Sequence, residues 1–357
     1  MTISLCMIVK NEEKVLARCL ASVKKFIDEI IIVDTGSTDN TKAIAARYTD
    51  RVYDYEWRDD FAAARNYSFS KATMNYIMWL DADDIIWDEE INKIIELKKN
   101  LPPEMDVVLM KYALEFDEYN HVTQAFYRER IIKRSRHFKW AGSVHEYLKV
   151  EGNLLQTDIC ITHSPLNKKT SDRNLKILEK IINTGNKVPS RELYYYAAEL
   201  FNNGQHEKAL EYYMAFLNAD DPAPMYVTDV CLHAAAYYML KNQPAEALKT
   251  LIKSMEFGIM RPEILCCIGS IYKELQDYRM AISWYELIFE LLIPAFDLEM
   301  HSYELGAFIP CIDLCHCYCQ LSEYSQAIKY NELAARYKPN DPIIENNRKK
   351  FREAGLI

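Results

Sequence analysis

The chain has 357 residues, of which half are hydrophobic, and its formal net charge at neutral pH is −9. This length is enough for two domains. The negative charge argues against a nucleic-acid-binding protein, because such proteins bind largely through Lys and Arg that neutralise phosphates. Ile3–Val9 is too short for a secretion signal, and the apolar run 284–296 is interrupted by charged residues and proline. We therefore expect a soluble, cytoplasmic protein with reduced cysteines.

The first eighty residues alternate between short apolar runs and helical patterns. The runs predict strands at residues 3–9, 29–33, 51–55 and 76–80. Strands that alternate with helices at this spacing form parallel βαβ units with right-handed crossovers. Two later runs, residues 107–116 and 127–133, predict further strands, so we expect a mixed, mostly parallel sheet.

Three carboxylates follow the fourth predicted strand directly. Asp81, Asp83 and Asp84 lie where open α/β sheets bind their ligands, at the carboxyl end of a strand. Asp81 and Asp83 would repel each other unless a cation or solvent lay between them, and Mg²⁺ or Mn²⁺ takes such oxygen ligands. The alternative is a solvated acidic turn that caps the helix predicted at residues 88–99.

Five motifs in the same order resemble the family 2 glycosyltransferases, whose catalytic domain has the GT-A fold. They cover nearly the first half of the chain. The motifs are Lys10-Asn11-Glu12, residues 33–39, residues 61–66, Leu80-Asp81-Ala82-Asp83 and residues 140–146. Together they favour the cation over the solvated turn.

The resemblance implies a nucleotide-sugar site. Its expected members are Lys10, Asn11, Glu12, Asp34, Gly36, Arg65, Asp81, Ala82, Asp83 and Arg134. Asp34 is expected to accept from the base or ribose, and the guanidinium of Arg65 suits a base edge or the diphosphate. Arg134 belongs to a basic run that either neutralises the diphosphate or is a solvated face. The commoner family pattern has a second acidic residue after Asp34, where this chain has Thr35. This difference affects the expected contact with the base, so two alternatives stay open for the donor: a UDP-sugar, or a sugar carried by another nucleotide.

The resemblance also implies an inverting transfer at the anomeric carbon, with Mn²⁺ or Mg²⁺ as cofactor. Asp83 and Asp81 are expected to hold the cation, and His163 to close its site. Glu146 is the expected catalytic base, which takes the proton from the incoming nucleophile. His145 is the second catalytic candidate, as a base, as the residue that orients Glu146, or as a ligand. The purely structural alternative is a buried salt bridge for Glu146 and a core position for His145.

The second half of the chain repeats itself. Four alanines, at positions 209, 247, 281 and 327, are spaced 38, 34 and 46 residues apart, near the ~34-residue tetratricopeptide (TPR) period. The pattern resembles TPR arrays, in which helical pairs stack into a short solenoid with a concave face. We place a GT-A domain at residues 1–187, which includes a linker helix from Asn167. The boundary lies at 185–189, and the TPR-like domain at 188–357.

The sequence thus predicts an α/β GT-A domain followed by an all-α TPR-like solenoid, in a glycosyltransferase whose TPR half recruits the acceptor. This layout resembles bacterial peptide S-glycosyltransferases of bacteriocins, which implies a Cys, Ser or Thr side chain of a peptide as acceptor. It also resembles other TPR-bearing family 2 enzymes, which implies a surface polysaccharide or lipid-linked glycan. A non-catalytic TPR scaffold with a decayed transferase domain is the alternative from another class. The TPR half is also a candidate for self-association into a homodimer.

Overall fold

The computed structural model describes residues 1–116, 122–166, 172–184, 187–290 and 307–357. It divides into two compact units, Met1–Ile177 and Leu178–Ile357. Asn167 and Gly185, expected at the start of the linker helix and at the boundary, lie outside the described residues, so the division at 187/188 stays a prediction. None of the described helices combines the length and apolar character that crossing a membrane requires.

The first unit alternates strands and helices. Its strands are β1 (Ile3–Val9), β2 (Glu29–Asp34), β3 (Val52–Asp54), β4 (Tyr76–Trp79), β5 (Asp84–Ile85), β6 (Val107–Phe116), β7 (Val122–Lys133), β8 (Trp140–Ala141), β9 (Tyr147–Leu148) and β10 (Leu154–His163). Its helices are α1 (Leu16–Val23), α2 (Thr41–Ala45), α3 (Phe61–Ser70) and α4 (Asp88–Asn100), and α5 (Arg173–Ile182) spans the division between the units.

Eight strands form one mixed sheet in the order β3-β2-β1-β4-β7-β6-β10-β5. The first four strands of this order are parallel to one another, which confirms the predicted βαβ units. β7 is antiparallel to both β4 and β6, β10 runs parallel to β6, and β5 is antiparallel to β10. The predicted α/β class is therefore confirmed. The strands that we did not predict are β5 and β10 of this sheet, and β8 and β9, which form a separate two-stranded sheet.

The central strand β1 is apolar at every position except Ser4, because both of its faces are buried. Successive side chains of a strand point to opposite faces, so Leu5 and Met7 pack in one apolar cluster with Leu16 of α1. Cys6 packs on the other face in a cluster that includes Trp140. Burying a leucine side chain stabilises a fold by about 1.5–3 kcal/mol, so this double-sided core holds the strand ends that carry the site.

The second unit is all-α, as predicted. Its helices are α6 (Ser190–Asn202), α7 (His206–Leu217), α8 (Pro224–Leu240), α9 (Pro244–Lys253), α10 (Pro262–Glu274), α11 (Tyr278–Glu290), α12 (Ile309–Gln320), α13 (Tyr324–Tyr337) and α14 (Pro342–Glu353). Consecutive helices contact each other as the pairs α6–α7, α8–α9, α10–α11 and α12–α13. Helix α14, whose first turn is capped by the side chain of Asp341, was not predicted from the sequence.

The turn that joins the two helices of each pair contains one residue with a left-handed backbone conformation. These residues, five positions before the anchor alanines, are Gly204 (φ 75°), Asn242 (φ 55°), Gln276 (φ 62°) and Ser322 (φ 60°). The next backbone N–H donates to a carbonyl of the first helix, as from Gln205 to Leu200 at 2.9 Å, which is the geometry of a Schellman cap. All four alanines are fully buried, so the repeat seen in the sequence is a structural one.

Candidate active site

A cleft of about 360 Å³ lies beyond the carboxyl ends of β1 and β4. Its size is near the lower end of small-molecule sites, ~300–1,000 Å³. The predicted site residues that line it are Lys10, Glu12, Arg65, Asp81, Ala82, Asp83, His145, Glu146 and His163. Motifs that are far apart in the sequence therefore meet in one place, beside these strand ends.

The three carboxylates after β4 form a closed turn. The N–H of Asp84 donates to the carbonyl of Asp81 at 3.1 Å, and the Asp84 carboxylate accepts from the Asp81 N–H at 3.0 Å. Asp84 is fully buried and pairs at 3.1 Å with Arg130, whose side chain is equally buried. The alternative of a helix-capping acidic turn is wrong, since α4 begins after Trp87 and has no side-chain cap.

Asp83, Asp84 and His163 offer ligand atoms that all lie within 4.8 Å of one another. The Nδ1 of His163 is 3.6 Å from Asp83 Oδ1 and 3.7 Å from Asp84 Oδ1. Burial raises the pKa of Asp83, with further contributions from Asp81 and Asp84. The carboxylate of Asp84, followed by those of Asp83 and Asp81, raises the pKa of His163. Two carboxylates with an imidazole suit Mn²⁺, whereas Mg²⁺ favours oxygen ligands alone.

This group differs from the predicted metal ligands in one member. Asp84 is present, although it was not among the predicted site residues, and its place in the acidic run was the signal for it. Asp81 lies outside the group, because its Oδ1 accepts from Arg65 at 2.8 Å. Burial favours protonation of Asp81, but Arg65 and Arg130 outweigh it and hold its pKa below the ordinary value. Asp81 as a ligand remains a prediction.

Arg65 joins two of the motifs. Its Nε donates to Glu146 Oε1 at 2.6 Å and its Nη2 donates to Asp81. The guanidinium carbon lies 5.0 Å from the ring centre of Trp79 and 4.9 Å from that of Trp140. Arg65 thus lines the cleft while its fork is used to hold two carboxylates of the protein.

Glu146 and His145 end the loop that follows β8. The loop is fixed to α3, since the Phe61 N–H donates to the Ser143 carbonyl at 3.0 Å. The side chain of Glu146 is 12% exposed. It therefore forms the salt bridge with Arg65 and lines the cleft at the same time. His145 is exposed with φ at 50°, so the alternative of a core histidine is wrong.

Glu12 is the carboxylate of the cleft whose protonation is most altered. Burial raises its pKa to about 7, and Asp83, Asp39 and Asp81 act in the same direction against an opposing contribution from Arg173. Its backbone N–H donates to Thr41 Oγ1 at 2.7 Å. Glu12 therefore changes charge near neutral pH.

Asn11, Asp34 and Gly36 do not line the cleft; they shape the loop beside it. Asp34 Oδ1 accepts from the N–H groups of Gly36 at 2.9 Å and Ser37 at 2.8 Å, and Asn11 Oδ1 accepts from the Thr38 N–H at 2.8 Å. Gly36 has φ +100°, which suits glycine. Asp34 Oδ2 is buried without a hydrogen-bond partner among the described residues, and a role of Asp34 at the base or ribose stays a prediction.

Arg134 departs from the sequence-based expectation. Its Nε donates to the Met74 carbonyl at 2.6 Å, and it lines a separate cleft of about 290 Å³ together with His137 and Lys139. Its expected role at the diphosphate is not supported by this position. The cations that line the first cleft beside Arg65 are Lys10 and Arg173.

Sequence reasoning missed one wall of the cleft. The rings of Trp57 and Phe61 meet edge to face with their centres 4.7 Å apart, and the guanidinium of Arg173 lies 4.6 Å from the ring centre of Phe61. The aromatic pair follows β3 closely in the sequence, which was a usable signal. Arg173 had none, because it comes from a polar helix more than a hundred residues later.

Parts of the chain are similar to known proteins. Residues 4–150 match the family model for "Glycosyl transferase family 2". A TPR repeat-containing protein of Synechococcus elongatus is 44% identical over 123 residues, 34% of this chain and 28% of the relative. The SPbeta prophage-derived glycosyltransferase SunS of Bacillus subtilis is 29% identical over 230 residues, 61% of this chain and 53% of the relative. The chain thus spans about half or less of the length of these relatives.

Among solved structures, S. aureus TarS 1–349 is similar at a TM-score of 0.40 and 14% identity. The match covers 72% of this chain and 92% of that one.

Proposed function

We propose that this chain, which carries a glycosyl transferase family 2 domain at residues 4–150, transfers a sugar from a nucleoside diphosphate, UDP in the first instance, to a peptide side chain. One observation carries the proposal: the cleft unites the carboxylates Asp81 and Asp83 with Glu146 and His163. Several carboxylates gathered with an imidazole are suited to a cation and a proton transfer, and poorly suited to a purely structural role.

We assign the cation to Asp83, Asp84 and His163, with Mn²⁺ fitting the mixed donor set better than Mg²⁺. The cation, when bound, neutralises charge on the departing nucleoside diphosphate. Asp34 Oδ2 is assigned to the base or ribose, and Lys10 and Arg173 to the diphosphate. The aromatic wall of Trp57 and Phe61 is assigned to the sugar or acceptor.

The chemical step follows from the position of Glu146. Its Oε1 is held by Arg65, so the second oxygen is the one assigned to take the proton of the acceptor thiol or hydroxyl. The acceptor atom then bonds to the anomeric carbon from the face opposite the leaving group. The bond between that carbon and the diphosphate oxygen breaks with its electron pair, which inverts the configuration.

A peptide acceptor is supported by the resemblance to bacteriocin S-glycosyltransferases and by the repeat unit. Arrays of helical pairs present extended surfaces that suit extended partners. Surface glycans are the competing acceptor class, and no described residue outside the cleft favours them specifically.

The test begins with hydrolysis of UDP- and GDP-sugars by the full chain, with and without Mn²⁺. Asp83→Asn should lower turnover at least ~10²-fold, because charge that develops in the transition state loses its partner. Asp88→Asn, an exposed aspartate of α4, is the matched control and should leave turnover unchanged. Wild-type turnover that persists in EDTA would contradict the metal assignment.

Glu146→Gln separates the base from the donor site. Calorimetry should show unchanged UDP binding while sugar transfer is lost. An exposed control, Glu151→Gln, should behave like the wild type. If UDP affinity falls as much as turnover, Glu146 belongs to the donor site and His145 becomes the base.

A further inference from the structure

A buried tyrosine holds the histidine of the cleft. Tyr112 of β6 lies opposite Ile161 of β10, two residues before His163, so Tyr112 and His163 are diagonal neighbours on one face of the sheet. The Tyr112 hydroxyl is 2.9 Å from Asp84 Oδ1 and 2.9 Å from His163 Nδ1. Tyr112 is itself 7% exposed, so these two partners are the ones that decide its hydrogen bonding.

The protons shared among Asp84, Tyr112 and His163 can be counted. A tyrosine hydroxyl has one proton to donate. The Asp84 carboxylate also accepts from Arg130 at 3.1 Å and from the Asp81 N–H, which marks it as ionised and acceptor-only. The hydroxyl proton therefore goes to Asp84. The hydroxyl oxygen must then accept its second hydrogen bond from His163, which requires a hydrogen on Nδ1.

We propose that Tyr112 is a positioning residue that fixes the hydrogen of His163 on Nδ1, so that Nε2 is the nitrogen left to bind a divalent cation in the cleft. Nδ1 is the ring nitrogen measured nearest to Asp83 and Asp84, yet it serves as a donor toward the tyrosine. The inference rests on the metal site of the proposed function and adds two things to it: which ring nitrogen binds, and the residue that selects it.

The arrangement has a recognised physical effect. A histidine that donates through one nitrogen to an oxygen has its tautomer and ring orientation fixed, and loss of such a partner typically weakens metal binding ~10–100-fold. Arg130 completes the chain of contacts, since it fixes Asp84, which orients the tyrosine hydroxyl.

The first measurement is the tautomer itself. We would record long-range ¹H–¹⁵N spectra of the full chain with labelled histidine, and assign the His163 signal with His163→Gln. The pH should lie well above the ordinary histidine pKa of about 6.5, because the neighbouring carboxylates of Asp84 and Asp83 raise the pKa of His163. Nδ1 should carry the hydrogen in the wild type, with and without diamagnetic Zn²⁺. Tyr112→Phe should give a mixture of tautomers.

Tyr76→Phe is the matched control. Tyr76 is 6% exposed, close to Tyr112, and its hydroxyl donates to the Met105 carbonyl at 3.3 Å, away from the cleft. The control should keep the wild-type tautomer. The second measurement is the affinity for Mn²⁺ alone, followed by electron paramagnetic resonance. It should fall ~10–100-fold in Tyr112→Phe and stay unchanged in Tyr76→Phe.

Three results would overturn the inference: an Nδ1 without hydrogen in the wild type, Zn²⁺ bound through Nδ1, or Tyr112→Phe with wild-type tautomer or affinity. The proposed function would survive any of these if sugar transfer still required Mn²⁺. Conversely, a wild type that binds no cation and transfers sugar without one refutes the metal assignment. The metal-free spectra would then still decide whether Tyr112 sets the tautomer.

Discussion

At the scale of single residues, the site depends on charges that are shared. Arg65 satisfies Asp81 and Glu146 at once, and the planar guanidinium makes this bridging possible where the ammonium of lysine would act as a point charge. The sequence motifs identified both carboxylates but gave no indication that one side chain holds them together.

The raised pKa of Glu12 predicts how the stability of the fold depends on pH. This pKa is about 7 in the folded chain against an ordinary 4.5. Below pH 4.5 the carboxyl is protonated in both states and its contribution to stability is fully present. Between 4.5 and 7 the unfolded chain releases the proton first, so the wild type loses stability relative to Glu12→Gln.

Urea unfolding across about pH 4 to pH 8 measures this difference. It should grow through the window and level off above it, and solvent screening should keep it small because Glu12 is only half-buried. Glu56→Gln, at an exposed side chain, is the control and should show no such trend. Parallel curves for wild type and Glu12→Gln would contradict the raised pKa.

At the scale of elements, the strands that could be predicted from the sequence are the ones whose side chains are buried. β1 and β4 were predictable because both faces of each are buried and all their residues but Ser4 are hydrophobic. β10 was not, since its first half is largely exposed, and β5 has only two residues. The residues of the site likewise fall into a predictable and an unpredictable group. Strand-end motifs could be located from sequence, but Tyr112 and Arg173 reach it through tertiary contacts that leave no local pattern.

The left-handed turns of the repeats give a prediction for the second unit. A side chain in this conformation costs about 1–2 kcal/mol relative to glycine, and only Gly204 of the four is a glycine. Gln276→Gly and Ser322→Gly should each raise the free energy of unfolding by about 1 kcal/mol, less the extra chain entropy of glycine. Gly204→Ala should lower it.

Chemical denaturation followed by circular dichroism would check these changes. Asn242→Gly is the control, because asparagine tolerates the left-handed region and its replacement should change little. No neighbouring atom lies within 4 Å of the Cβ position at Gly204, so a loss there would come from the backbone alone. A destabilised Gln276→Gly would show that its side chain contributes more than its backbone costs.

At the scale of the whole molecule, we predict a division of labour between the units. The first helices of three pairs contact one another, α8 with α10 and α10 with α12, and so form a layer of their own. Two exposed apolar residues of α8 are Met225, at 58%, and Leu240, at 81%. The tyrosines Tyr195 and Tyr238 are half-buried, and the Tyr195 hydroxyl forms a hydrogen bond with that of Tyr226, so they are less accessible to a partner.

Replacing Met225 and Leu240 by serine should weaken transfer to a peptide acceptor several-fold and leave slow hydrolysis of the sugar nucleotide intact. Met280→Ser, at an exposed residue of the second helix α11, is the control and should affect neither rate. Rates with and without peptide would be compared in folded variants. Loss of hydrolysis in the double variant would show that the repeat unit supports the donor site as well.

The place of β10 in the sheet sets a lower limit on the portion of the chain that can fold by itself. The family match ends at residue 150, but β10 follows it and lies inside the sheet, between β6 and β5. A polypeptide cut at the end of the match would leave β6 with an open edge, which is prone to pair with other chains. It would also lack His163. The unit that can be inherited, exchanged between proteins or expressed alone must therefore extend through the last strand.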